Sequence, residues 1–226
     1  MLVRAAELFG IAEGTTRVAL SRMVAAGELV PADGRYELGG RLLDRQARQA
    51  ASRRATLRRW RGHWITAVVT AERRAPADRA ALRVALAAGR LAELREGVWL
   101  RPDNLDGLPL AGVAHCTWLR ATLHDPGLDD ADLAARLWDL QSWAAGATDL
   151  RGEMAQSVGS LDAGDTAGLA PGFVLSAAVL RQLNADPLLP PELLPDDWPG
   201  SELRAEYDRF DAAYRRVLRD WFRRNR

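Results

Sequence analysis

Between Gly14 and Leu29 the chain reads GTTRVALSRMVAAGEL, and its cations are spaced to suit a polyanion. Drawn as a helix, the segment puts Arg17, Val18, Ser21 and Arg22 on one side. Thr16, Ala19, Leu20 and Met23 then form a small apolar stripe on the other. Arginine makes bidentate hydrogen bonds to guanine edges and to phosphate, so an outward face of two guanidinium groups and a hydroxyl fits the DNA major groove. Thr15 and Thr16, at the start of the helix, join Arg17, Ser21 and Arg22 as candidate DNA contacts. The same segment also reads as an ordinary amphipathic helix with a solvated basic face.

Other chemistry is sparse. His63, His115, His124 and Cys116 lack metal-ligand spacing, and His115 and Cys116 are neighbours on an expected strand, where side chains alternate between faces. There is no Gly-x-Ser-x-Gly elbow and no Walker-type Gly-Lys-Ser/Thr, and the connector GSLDAGDTAG offers glycines without a cation for phosphate. Asp129, Asp130 and Asp132 read as the acidic first turn of a helix. Glu96 and Asp103 are the nearest approach to a carboxylate pair. The residues therefore argue against an enzyme, and no cofactor or metal is expected. Eight tryptophans are the other unusual feature. Most belong in a core. Trp64, Trp99 and Trp118 with Arg95, Arg101 and Arg120 could instead stack on and pair with an aromatic anion such as an acyl-CoA.

Charge separates the chain into two parts. All 31 basic residues are Arg; residues 1–61 carry 12 of them against 6 acidic residues, a balance of +6, and the remainder carries 19 against 24, a balance of −5. A basic end on an acidic body is the pattern of a protein that meets a polyanion with one end only. An arginine-only, alanine-rich composition also suits a GC-rich genome, which dilutes the meaning of any single Arg. One cysteine excludes an internal disulfide and fits a reducing cytoplasm. No signal-like segment is present, and the longest uncharged run, Thr166 to Leu180, is too short for a bilayer. The expectation is a cytoplasmic protein without a membrane partner.

The elements needed to present Arg17 follow. Leu2 to Phe9 predicts a short helix closed by Gly10, and Ile11 to Glu13 a tight connection, so residues 2–29 read as helix, turn, helix. Asp33-Gly34 between alternating residues predicts a hairpin, with Arg35 at its tip placed for phosphate or minor-groove contact. Residues 1–40 thus read as a winged helix-turn-helix, and 41–60 as an Arg-rich linker helix with Arg41, Arg45 and Arg48 on one face. Residues 61–125 read as a small α+β domain: strands at Trp64–Thr70, Leu94–Arg101 and Val113–Ala121, a helix at Pro76–Gly89, and a loop at Arg101–Leu105. Residues 126–226 read as a helical domain. Its helices are expected over Asp129–Ala145 and Phe173–Leu183, with a loose connector at Gly159–Gly168 and a Pro-punctuated segment at Asp186–Gly200. Ser201 is expected to cap a last helix whose stripe is Leu203, Tyr207, Phe210, Tyr214, Val217 and Trp221.

Three stretches, ELFGIAEGTTRVALSRMVAAGELV (7–30), LREGVWLRPDNL (94–105) and DPLLPPELLPDDWPG (186–200), resemble the PaaX family of bacterial repressors of phenylacetate catabolism. The resemblance runs through nearly the whole chain in order. It implies an α+β multidomain fold: a winged helix-turn-helix, a middle ferredoxin-like domain similar to a CRISPR-associated endonuclease, and a helical C-terminal domain. It also implies a homodimer on double-stranded operator DNA, released by phenylacetyl-CoA or a related aryl-CoA. By position in the motif, Arg17, Ser21 and Arg22 fall on the recognition helix and Arg35 and Tyr36 on the wing. The family has a further helix upstream of the position of Met1, so the expectation is a winged unit lacking its first helix, with Leu2, Val3 and Phe9 underpacked. Two other readings stay open: a metal-dependent nuclease on the middle domain, and an acyl-CoA-binding module without DNA activity.

Overall fold

The first two helices end in the same way. α1 (Leu2–Glu7) and α2 (Glu13–Ala25) are each followed by a glycine at positive φ, Gly10 and Gly27, both at 68°. The amides of Ile11 and Glu28 then reach back to the carbonyls of Ala6 and Met23, at 3.1 and 2.9 Å, which satisfies the open carbonyls of a helix end. This is described in a computed structural model that covers residues 2–70, 75–106 and 115–225.

Two strands follow α2, β1 (Leu29–Ala32) and β2 (Arg35–Leu38), paired antiparallel with Leu29 opposite Leu38 and Ala32 opposite Arg35. Asp33 and Gly34 both take positive φ, 42° and 74°, the two-residue turn whose twist matches a hairpin. α3 (Gly40–Arg54) comes next.

The chain divides into two compact units. One comprises Met1–Arg54, Ala144–Asp186 and Pro199–Arg226; the other comprises Ala55–Trp143 and Pro187–Trp198. These limits depart from those expected from sequence. The 41–60 segment is not a free linker helix: α3 ends at Arg54 and packs on α7 (Leu169–Ala185), with Ser52 buried between them. Residues 55–60 belong with the sheet unit, as do α5 (Asp130–Leu137) and the Pro-rich segment 187–198.

In the sheet unit, β3 (Trp64–Val69), β4 (Ala92–Arg95), β5 (Val98–Pro102) and β6 (Cys116–Ala121) form an all-antiparallel sheet in the order β4-β5-β3-β6. Positions 113 and 114 of the expected last strand lie outside the described residues. Alternation sends Ala67 and Trp99 to one face, where α4 (Pro76–Ala88) supplies Leu82 and Leu86. Trp64 and Leu100 point to the other, against Leu133 and Ala134 of α5 and Leu189 and Leu193 of the Pro-rich segment. Burying both faces uses most of the tryptophans: Trp60, Trp138 and Trp198 pack around the same cluster as Trp64.

In the helical unit, α8 (Gly200–Arg224) lies on α7, and Leu203, Tyr207, Phe210, Tyr214 and Val217 are all buried while Trp221 is half-buried. Burial pushes the Tyr207 and Tyr214 hydroxyls up from their ordinary values. Several expected boundaries are corrected here. The helix anticipated over Asp129–Ala145 breaks at the extended Trp138, and Asp139 accepts the Ser142 amide at 3.0 Å to open α6 (Leu140–Asp162), which runs straight through Gly159. Ser201 lies inside α8 and donates to the Glu202 carboxylate instead of capping the helix. The apolar run continues to Ala185, so Thr166–Ala185 is long and apolar enough to cross a membrane by length and composition; here Leu169, Leu175, Val179 and Leu183 of that run are buried in the unit.

Two charged contacts set expectations for stability. Arg204 donates to the buried Asp186 at 2.6 Å, and Arg151 forks onto Glu206 at 2.8–3.1 Å nearer the surface. Asp186→Ala strands a largely buried guanidinium and is expected to cost about 3 kcal/mol, read from the urea midpoint. Arg151→Met is expected to cost about 0.5–1 kcal/mol at neutral pH. The hydrogen bond from Arg151 holds the Glu206 carboxyl below its usual range, so the contribution of the pair is present above that range and lost as pH falls through it. The difference between wild type and Arg151→Met is therefore expected to shrink as pH falls below the ordinary glutamate range and to vanish once Glu206 is protonated in the folded protein.

Candidate nucleic-acid interface

No residue of α2 is fully buried. Leu20, Met23 and Val24 are half-buried on the inner side, joined by Thr16, whose hydroxyl donates to the Ala12 carbonyl at 3.2 Å. Ala19, expected in this stripe, is exposed instead. The opposite side carries what the sequence placed there: Arg17, Val18, Ser21, Arg22 and Ala25 line one open groove, with Val18 53% exposed. Thr15 is exposed at the start of the helix. α2 thus presents an open, solvent-exposed face that carries two guanidinium groups and a hydroxyl, a charge suited to an extended anionic partner.

The hairpin is seated on the end of α2 by backbone contacts. The Gly39 amide donates to the Glu28 carbonyl at 2.8 Å, and a Cβ on the buried Gly39 would stand 2.8 Å from the Gly27 carbonyl oxygen, so no larger residue fits. Arg41 of α3 closes onto the Glu28 carboxylate beside it. Arg35 and the 44% exposed Tyr36 follow the turn on the exposed second strand. Helix, turn, helix and hairpin therefore keep Arg17, Ser21, Arg22, Arg35 and Tyr36 all open to solvent. The sequence reading missed Glu13. Its carboxylate accepts from Nε and Nη2 of Arg17 at 2.8 and 2.5 Å, and the four-residue spacing on a helix was the available signal.

The six residues considered for an aromatic anion are not brought together. Trp64 is 2% exposed, and its indole donates to Asp130 at 2.7 Å. Arg101, expected at the start of a loop, is wholly buried at the end of β5 and donates to the Pro102, Gly89 and Leu188 carbonyls and to the Asn104 side chain. Burial, helped by the charge of Arg90, pushes its guanidinium down to about 9, so it remains charged at neutral pH. Trp99 is also buried. For these three the interior supplies the partners, and the expectation of a ligand contact is corrected to a structural one. Arg95 is exposed on edge strand β4, whereas the half-buried Trp118 and exposed Arg120 lie on the opposite edge, three strand spacings or about 14 Å away. Arg120 pairs with Asp103 at 2.5 Å, as does Arg58 at 2.7 Å. Among the described residues, no group of three or more His, Cys, Asp or Glu is placed to hold a metal ion.

Residues 1–42 match the family described as PaaX-like protein, and residues 138–224 match the PaaX-like protein C-terminal domain. An uncharacterized protein from Mycobacterium tuberculosis, Rv0674, has a solved structure that superposes with a TM-score of 0.72 at 44% identity, covering 96% of this chain and 88% of that one. The chain belongs to the PaaX-like family. No curated protein matches it.

The seat of the hairpin can be tested apart from function. Gly39→Ala is expected to speed amide exchange across residues 28–40 while lowering the global stability obtained from urea unfolding by no more than about 1 kcal/mol, because the clash is confined to the seat of the hairpin.

Proposed function

We propose that this PaaX-like protein is a DNA-binding transcriptional repressor of a catabolic operon for phenylacetate or a related aromatic acid. On this reading residues 1–40 act as a winged helix-turn-helix, α2 enters the major groove, and the hairpin contacts the adjacent backbone or minor groove. The observation that carries it is the open basic face of α2, with Arg17, Ser21 and Arg22 directed away from the unit and Arg35 and Tyr36 exposed on the neighbouring hairpin. Charge supports it, since the net positive part of the chain is this end. Family membership supports a role in transcription regulation. The order β4-β5-β3-β6, all antiparallel, is that of a ferredoxin-like sheet, which suits a middle domain of that type.

A two-fold symmetric operator would be met by a homodimer, with one α2 per half-site. Release by an aryl-CoA such as phenylacetyl-CoA is the regulatory part of the reading, and Arg95, Trp118 and Arg120 are the candidates for it that retain surface. The protein works in the cytoplasm, where its DNA is, and catalyses no reaction of its own.

Gel-shift titration against the DNA upstream of its own gene tests the proposal. Sequence-preferring binding that weakens steeply with salt is expected, and binding without preference or salt dependence would overturn it. Arg17→Ala and Arg22→Ala are expected to cost specific binding about 1–3 kcal/mol each, whereas Arg48→Ala, on the exposed side of α3, weakens all sequences alike.

A further inference from the structure

Arg17 is tied up in the free protein. Its Nε and Nη2 both meet one oxygen of Glu13, at 2.8 and 2.5 Å, while the second carboxylate oxygen and Nη1 take no part in the pair. Both side chains stand in solvent, 70% and 55% exposed, so the pair has no buried surroundings to stabilise it and a better partner can open or share it. Glu13 and Arg17 lie one turn apart at the start of α2, the end of a recognition helix that comes nearest to base edges.

The two sides of this pair respond differently to the two parts of a duplex. Against a phosphate, the Glu13 carboxylate is repelled, and Arg17 must abandon it to make the contact. Against base edges in the major groove, guanine offers two acceptors for a guanidinium and cytosine an amino group for a carboxylate. A G·C pair can therefore engage Arg17 and Glu13 together, and the backbone cannot.

Resting on the DNA-binding reading above, we propose that Glu13 is a specificity-determining residue: it withholds Arg17 from phosphate and releases it to guanine. It lowers non-specific affinity more than specific affinity, which is what a repressor needs when competing sites vastly outnumber its own.

Glu13→Gln keeps the size and helix propensity of the side chain and removes its charge. Binding of wild type, Glu13→Gln, Arg17→Gln and the double variant is measured on the upstream DNA and on an unrelated duplex over a salt series. For Glu13→Gln the expected result is about three- to tenfold tighter binding to the unrelated duplex and less than twofold change on the upstream DNA. The log–log salt slope on the unrelated duplex should steepen by about 0.9, one additional phosphate contact. In the Arg17→Gln background the same change is expected to have a clearly smaller effect, limited to relief of the carboxylate's own repulsion by phosphate, because Glu13 acts mainly through Arg17. If wild type discriminates but Glu13→Gln leaves both the ratio and the slope unchanged, or acts equally without Arg17, the inference fails and the DNA-binding reading stands. If wild type itself shows neither sequence preference nor salt dependence, both fail.

Discussion

The helical unit turns on one guanidinium. Arg204 donates through Nη2 to Asp186 at 2.6 Å, through Nη1 to the Gly200 carbonyl at 2.7 Å and through Nε to the Ser52 carbonyl at 3.2 Å. Those three acceptors lie at the end of α7, the start of α8 and the last turn of α3. Asp186 is 2% exposed, so neither charge can be returned to water without moving the backbone around it. Next to this junction Arg53 lies over the Tyr207 ring, 5.0 Å from its centroid, and reaches Asp208 and Asp211 at 2.5 and 2.8 Å. Burial lowers the affinity of Arg53 for its proton, but the two carboxylates more than offset this and leave its pKa raised. The end of α3 is thereby fixed by directional contacts, which specify one position in a way that apolar packing alone does not.

That fixation matters because the N-terminal arm owns almost no core. Within residues 2–40 only Leu29 and Gly39 are buried, α1 and α2 contribute nothing fully buried, and Phe9 meets Phe173 edge-on at 5.2 Å while remaining 38% exposed. An arm with so little buried apolar area is the part of the unit that opens at least cost. Its internal order comes from backbone geometry: the two glycine-terminated helices, the tight Asp33-Gly34 turn and the close approach of Gly39 to Gly27. A surface built this way can adjust to a partner at low cost and still arrives in one register, since α3 leads directly from it to Arg204 and Asp186.

Much of this was legible in the residues. The helix, turn, helix and hairpin were readable because Gly10, Gly27, Asp33 and Gly34 mark their own conformations, and the α8 stripe because its spacing is helical over five turns. The outward face of α2 followed from the same periodicity. What could not be read were the choices made by tertiary contact. Nothing local tells that Trp138 leaves the helix so that it can stack on Trp64, at 6.5 Å between centroids, or that α6 runs on through Gly159 to Asp162. The units were misjudged for a similar reason. Residues 187–198 lie far along the chain from the strands they cover, and proline punctuation shows where regular structure stops without showing what the segment packs on.

The middle and late stretches, 94–105 and 186–200, have a physical explanation in common. Arg101 and Asn104 come from the first, and both donate to the Leu188 carbonyl, at 3.2 and 3.0 Å, which comes from the second. Leu188 holds positive φ, 53°, which aims that carbonyl inward. The guanidinium has no carboxylate in direct contact among its hydrogen bonds; its cage is made of carbonyl dipoles and one amide, which satisfy a buried cation at a fixed geometry and leave little room to rearrange. These residues are thus accounted for by the folding of the sheet unit. An anionic ligand drawing Arg101 out would have to break every one of these bonds and leave the carbonyls unpaired. On the proposed reading, an aryl-CoA meets this unit through cations that already face water, and its phosphates compete with Asp103 for Arg58 and Arg120, whose side chains are 42% and 58% exposed. Exchanging one anion for another at such a pair costs far less than emptying a buried cage.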